Sequence, residues 1–344
     1  LQERMVDVMQ RVSLFAKASD PQTVRWLDVT ASQMRLMQAP LDIADTVRER
    51  LLKQSVVSNN SDRAGTDTTA NTPSSSYNVD EEAPWLDEKI AKLRSWVFTS
   101  ATLGDEPTLR WFTEPCGLES AQVLRVESPF DYPNQASMFV PKDIVRPNDP
   151  AHSTQVAKLA SNAVRALGGK TLVLTTTLRA LRTIGDAMKQ QLEGSGIEVL
   201  IQGEWPKREL MARFQDATPQ QGGCVLVASA TFWEGFDVPG DALQLVIIDK
   251  LPFPPPNDPI VEARGKRLES QGRSPFNDFF VPEAVIALKQ GAGRLIRRET
   301  DRGVLVVCDN RLATTGYGKR LLAAMPNMRQ LHTQEELHEA LKAL

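Results

Sequence analysis

The sequence predicts an α/β fold in which a parallel sheet is covered by helices on both faces. Short, almost wholly apolar runs, helical periodicity between several of them, and a polar segment after each run carry that prediction. The runs are "TLVLTT" (171–176), "EVLIQ" (198–202), "CVLVAS" (224–229), "LQLVIID" (243–249) and "GVLVVCD" (303–309). Runs this short with no polar side suit strands buried on both faces. Helical patterns at about 178–192, 207–217 and 282–298 separate several of them, as crossover helices returning to a parallel sheet would.

Before these runs the pattern differs. Leu1, Met5, Val8, Val12 and Phe15 recur at helical spacing and predict a first amphipathic helix, packed on the core, that Asp20-Pro21 terminates. "TVRWLDV" and "QMRLMQ" read as strands, and "DIADTVRERLL" as a helix starting near Asp42 or Asp45. From Lys53 to about Glu82 the composition turns to Ser, Thr, Asn, Asp and Gly, too poor in apolar residues to offset the entropy of ordering, which predicts a disordered loop. "SWVFTSATL" then reads as a short buried strand running into a polar turn at Ser100 to Thr102.

Composition bounds what the chain does. A length of 344 residues with 41% hydrophobic content is enough for two globular domains. Forty basic against 43 acidic residues exclude a broadly cationic coat, so any contact with nucleic acid must come from a local groove. Cys116, Cys224 and Cys308 stand too far apart for a disulfide scaffold or a local zinc or iron–sulfur ligand set, and are expected to be small buried residues in a reducing compartment. No signal peptide is visible, and no apolar run approaches the roughly 20 residues needed to span a bilayer. The chain starts at Leu1 rather than methionine, so it is expected to be a fragment or a processed product.

Ligands of open α/β sheets gather beyond the carboxyl ends of the strands, and there the sequence is polar: Thr175 to Thr177, Gln202-Gly203, "SATFWEGFDVPG", "KLPFPPPNDP" and "DNR". Threonines that cap helices and Gly-Pro clusters that make turns explain any one of these pieces as well. In "VPEAVIALKQGAGRLIRRETDRG", Pro282 suits a first helical turn, and Gln290, Arg294 and Arg297 stand at i, i+4 and i+7, on one helical face. Gly291 and Gly293 remove bulk beside the arginines, although glycine costs about 1 kcal/mol against alanine inside a helix. Guanidinium groups suit charge on a transferring phosphoryl group; the alternative is surface arginines satisfied by Glu299 and Asp301. "GGKT" (168–171) and "GYGK" (316–319) are not Walker A loops: Val164 stands where the first glycine belongs, and "GGKT" precedes a strand.

Together "VFTSATL", "LVLTTT", "ASATFWEGFDVPGDALQLVIIDKLPFPPPNDP" and "QGAGRLIRRETDRGVLVVCDNR" resemble motifs III, IV, V and VI of superfamily 2 DNA helicases of the DinG and XPD type, YoaA-like bacterial members included. The resemblance covers roughly residues 22–330. It implies a RecA-like parallel sheet, helicase domain 2, over residues 105–344, and over 1–104 the end of an arch-like insertion followed by the returning part of helicase domain 1. It further implies a motor that binds ATP and Mg2+ between two RecA-like domains and moves 5′ to 3′ on single-stranded or forked DNA.

By resemblance Gln290, Arg294 and Arg297 act at the γ-phosphate, the arginines as fingers, with Gly293 beside the nucleotide. Glu234, Gly235 and Asp237 fall on the motif that couples nucleotide to DNA, Ser100 and Thr102 on the motif that links ATP state to domain movement, and Thr175 and Thr176 near the DNA backbone. The family's ATP-binding lysine, its metal-holding acidic pair and the four cysteines of its [4Fe-4S] cluster are absent, so no metal is expected on this chain. The chain alone is expected to be inactive and to need an N-terminal helicase domain as partner. A monomer in the bacterial cytoplasm, at the nucleoid and away from membranes, is the implied setting. A non-catalytic nucleic-acid-binding or regulatory module with the same fold is the competing reading. A small-molecule enzyme using the acids of "NDP" and "DNR" lacks a nucleophile or base.

Overall fold

Near the start of the chain, two segments rich in β-branched and long apolar residues pair as an antiparallel hairpin, β1 (Thr23–Val29) and β2 (Met34–Pro40), with Thr23 opposite Pro40. The hairpin follows a helix, Gln2–Ala16, and leads into a short helix, Ala44–Thr46, that continues as a π-helical turn, Val47–Leu52. These elements match the sequence reading, with one correction. The apolar face of Gln2–Ala16 does not pack on a core: Met9 is 68% exposed, and Met5, Val8 and Val12 are exposed with it. A second correction concerns residues 96–100, which form no strand and leave Val97 82% exposed; among the described residues no strand pairs with them.

The computed structural model describes residues 2–18, 20–52, 96–100, 102–104, 106–217, 222–229, 232 and 243–344. The loop expected over residues 53–82 lies outside the described residues. What is described falls into two units, Leu1–Val123 and Leu124–Leu344.

The second unit is a three-layer α/β body, a parallel sheet between two layers of helices. Its sheet has seven strands: β3 (Ala136–Phe139), β4 (Thr171–Thr175), β5 (Glu198–Ile201), β6 (Cys224–Ser229), β7 (Leu245–Ile248), β8 (Gly303–Val307) and β9 (Arg329–Leu331). They lie in the order β5-β6-β4-β7-β8-β3-β9, and every neighbouring pair is parallel. Successive side chains of a strand point to opposite faces, so each apolar run feeds two layers. Leu172, Leu174, Leu226, Val246 and Leu305 enter one core with Leu210, Phe214, Val285 and Leu288, from the helices Lys207–Asp216 and Val281–Ala292. Val173, Val225, Ile247 and Val306 enter the other with Val156, Val164, Ile184, Met188 and Leu337. Those last five come from the helices His152–Leu167, Leu178–Gln191 and Gln334–Lys342.

Both glycines of "GGKT" sit at positive φ. Gly168 closes the helix before β4 in the left-handed conformation, and a Cβ on Gly169 would lie 2.6 Å from the Cys224 nitrogen. "GYGK" opens the helix Gly316–Ala324, where Thr315 caps by accepting from the Gly318 amide at 3.1 Å.

Candidate functional site

Strands β4, β6, β7 and β8 end side by side, and their polar successors are knitted together. The buried Asp249, just after β7, accepts at Oδ1 from the Thr176 and Lys250 amides, both at 2.9 Å. Burial pushes its carboxyl up to about 6, with the nearby Lys250 ammonium pulling the other way. Thr175 donates its hydroxyl to the Ala228 carbonyl at 3.3 Å, so that side chain is turned into the sheet. Thr176 Oγ1 is buried and has no hydrogen-bond partner among the described residues. Thr177 caps the helix Leu178–Gln191 by accepting from the Ala180 amide at 3.2 Å. Gln202 accepts from the Ser229 amide at 2.7 Å, tying β5 to β6. Asp309, fully buried, accepts from the Leu251 amide at 3.0 Å and from Arg311 Nη2 at 2.6 Å.

The arginines lie at the other end of the sheet. The expectation that Gln290, Arg294 and Arg297 share one helical face is corrected, because the helix stops at Ala292. Arg294 and Leu295 bond three residues back, to the Gly291 and Ala292 carbonyls, and this tightened turn ends the α-helical ladder. Gln290 stays in the last helical turn; Arg294 and Arg297 fall in the connection to β8, all three half-buried. The sequence pattern overran because Leu295 and Ile296 keep the apolar rhythm and are buried, but they do so from the turn. Gly293 is exposed, and a Cβ there would meet only its own turn, Lys289 O at 3.2 Å and Gln290 O at 3.8 Å. It ends the helix; among the described residues it makes no room for a close packing partner.

What holds the connection is main-chain chemistry. Asp301, 4% exposed, accepts at Oδ2 from the Arg297 and Arg298 amides, both at 2.9 Å. Gln135, at the entry to β3, donates from Nε2 to the carbonyls of Arg298, Glu299 and Asp301 at 3.0, 2.9 and 3.1 Å. Ala136 pairs with Gly303, so these contacts fix the loop at the amino edge of β3 and β8. Burial draws the Arg297 guanidinium below its ordinary value, and Asp301 opposes that. Asp301, which the sequence offers as an ion-pair partner for the arginines, thus also orients their loop through its main chain.

Ser100 and Thr102 belong to the first unit, where the Thr102 amide donates to Ser100 Oγ at 3.1 Å. Glu234, Gly235 and Asp237 lie outside the described residues. Cys224 and Cys308 are buried as expected, and burial raises both thiols, Cys224 to about 12; Cys116 is only half-buried. Among the described residues no three of His, Cys, Asp and Glu gather as a metal-holding set, and no helix is long and apolar enough to cross a membrane. The sequence reading missed Gln135 and Asp249 as organising residues, and named Asp301 only as an acid that would satisfy the arginines. Of the two missed, only Asp249 left a signal, as the acid closing an apolar run.

Residues 160–328 match the family described as helicase C-terminal domain. The chain is 43% identical over 232 residues to the ATP-dependent DNA helicase YoaA of Escherichia coli (strain K12), an alignment spanning 67% of this chain and 35% of that protein. It is 34% identical over 253 residues to the ATP-dependent helicase DinG of Mycobacterium tuberculosis (strain ATCC 25177 / H37Ra), spanning 72% of this chain and 37% of the relative. To the 3′-5′ exonuclease DinG of Bacillus subtilis (strain 168) it is 33% identical over 247 residues, spanning 70% and 26%. The chain spans about a third of the length of the two helicase relatives.

Proposed function

This chain carries the helicase C-terminal domain of the DinG- and YoaA-type helicases, and we propose from that premise that it is one half of an ATP-driven DNA motor. In this reading residues 105–344 are helicase domain 2, and 1–104 are the end of an arch insertion and the returning part of helicase domain 1. The nucleotide, with its Mg2+, is held by the rest of helicase domain 1, outside this chain. The chain alone is then inactive. Arg294 and Arg297 reach the γ-phosphate as fingers, with Gln290 and Gly293 beside them. Thr175, Thr176, Ser100, Thr102, Glu234, Gly235 and Asp237 serve strand binding and its coupling to the nucleotide, on single-stranded or forked DNA travelled 5′ to 3′. Any [4Fe-4S] cluster belongs to the region outside this chain. The assembly works as a monomer in the bacterial cytoplasm, at the nucleoid.

One observation supports this reading above the others: the loop bearing Arg297 is pinned through its main chain by Asp301 and Gln135. A carboxylate that accepts main-chain amides fixes where a side chain starts, as a transition-state contact needs. The two edges of the sheet then have separate tasks, the phosphate at the amino edge and the strand at the carboxyl edge. Hydroxyls and amides at strand ends can hold a DNA backbone without reading its sequence.

The test is Arg297→Ala in the full-length protein. Loss of an arginine finger lowers turnover by about 10³-fold or more, and DNA binding should be largely spared. Turnover at the wild-type rate would remove the finger assignment. A full-length protein that binds DNA but never hydrolyses ATP would replace the motor with a non-catalytic binding module.

A further inference from the structure

The segment after β7, "KLPFPPPNDP", places an aromatic ring between two prolines at the carboxyl edge of the sheet. Phe253 is held there through a short relay: its amide donates to the Leu251 carbonyl at 2.9 Å, and the Leu251 amide donates to Asp309. The Arg311 guanidinium, paired with Asp309, lies 5.8 Å from the centre of the Phe253 ring. Two further rings close on it. Phe276 lies 5.7 Å from Phe253 and 5.2 Å from Tyr317, which it meets edge to face at 79°, and Tyr317 lies 5.9 Å from Phe253.

The three rings are not equivalent. Phe253 and Tyr317 pack against the apolar core, whereas Phe276 is 41% exposed and rests on them. A large ring displayed on a rigid aromatic base costs little entropy to order against a flat ligand. The surrounding segments carry charge: Arg320 donates to the Asn277 carbonyl at 3.1 Å, Lys319 next to it in sequence is exposed, and Arg273 pairs with Asp278 at 3.5 Å. An exposed π face among basic side chains fits a flat group carried on a polyanion.

We propose that Phe276, backed by Phe253 and Tyr317, is a stacking platform for an unpaired nucleobase of the strand that the carboxyl edge receives. The proposal rests on the strand-binding reading above and deepens it. Adjacent strands lie about 4.8 Å apart, so the step from β4, which ends at Thr175, across β7 to β8 is about 10 Å. A strand of a few nucleotides crossing these strand ends would keep its backbone on the turn after β4 and lay a base on Phe276, in the turn Phe276–Phe280. Stacking of this kind is tolerant of sequence because every base has a π face.

The experiment is fluorescence anisotropy of the 344-residue chain with an oligothymidylate and with an abasic strand of equal length. Phe276→Ala should weaken oligothymidylate binding about tenfold and leave abasic binding unchanged, while Phe276→Trp keeps both. Phe276→Leu retains apolar bulk without a π face and should lose the same factor, which separates stacking from misfolding. Equal losses on both strands, or no loss on either, overturn the platform; the latter would leave the trio as a surface for a protein partner. If the wild-type chain binds neither strand, the strand-binding reading itself fails, and the platform falls with it.

Discussion

Removing the Asp301 carboxylate tests how much of the arginine loop's position is built in before any nucleotide arrives. In Asp301→Ala the Arg297 and Arg298 amides lose an acceptor that stands 2.9 Å from each. A hydrogen bond to a charged group contributes about 1.5–3 kcal/mol, and Asp301 is nearly inaccessible to water. Arg298 is exposed, so water can recover part of its loss, and Gln135 still tethers three carbonyls of the same loop. These considerations give a net cost of about 3 kcal/mol, a large share of the 5–15 kcal/mol typical of a folded domain. Urea denaturation of the chain would show a lower midpoint with the slope unchanged. Asp301→Asn, which keeps an uncharged acceptor oxygen, should fall between. In the full-length protein Asp301→Ala should lower kcat for ATP and leave DNA affinity near wild type. A stability loss below about 1 kcal/mol would refute the claim that this carboxylate fixes the loop.

Asp249 gives a pH signature of unusual sign for a carboxyl. Its folded value is raised to about 6, so the fold is favoured below the ordinary carboxyl value and that advantage is lost as pH rises through about 6. A shift of about two units corresponds to about 3 kcal/mol. Asp249→Asn keeps an acceptor for the Thr176 and Lys250 amides, so the variant should gain on wild type between about pH 4 and about pH 7 in denaturation curves. A difference that does not change with pH would mean that the burial cost is offset elsewhere. Gly293→Ala probes the nucleotide assignment: with φ at −65° and only its own turn nearby, alanine should change stability by less than about 1 kcal/mol. A raised KM for ATP in the full-length variant would support Gly293 beside the nucleotide, and an unchanged KM would remove it.

The central strands were legible because burial on both faces leaves them almost wholly apolar, as in "TLVLT" and "LVII". Toward one side of the sheet, β3 ("ASMF") and the edge strand β9 ("RQL") are short and mixed, and pairing with a neighbour makes them strands. Periodicity identified the helix Val281–Ala292 but not its end, since buried Leu295 and Ile296 prolong the pattern past the turn. That overrun also hid which edge the arginines occupy, because helix length decides where the following side chains emerge. Gln135 meets the arginine loop across a separation of more than 160 residues, a contact that no local spacing encodes. The exposed apolar face of Gln2–Ala16 shows the converse: amphipathic spacing marks a face able to pack without supplying what covers it.

A parallel sheet whose central strands are buried on both faces is stiff, and here it has the loop bearing Arg294 and Arg297 at one end and a cluster of hydroxyls, amides and rings at the other. Five residues of strand set these ends about 17 Å apart. Such a plate works as a lever: a tilt of about 10° imposed at the arginine end carries the far rim about 3 Å, over that arm, without remaking a single core contact.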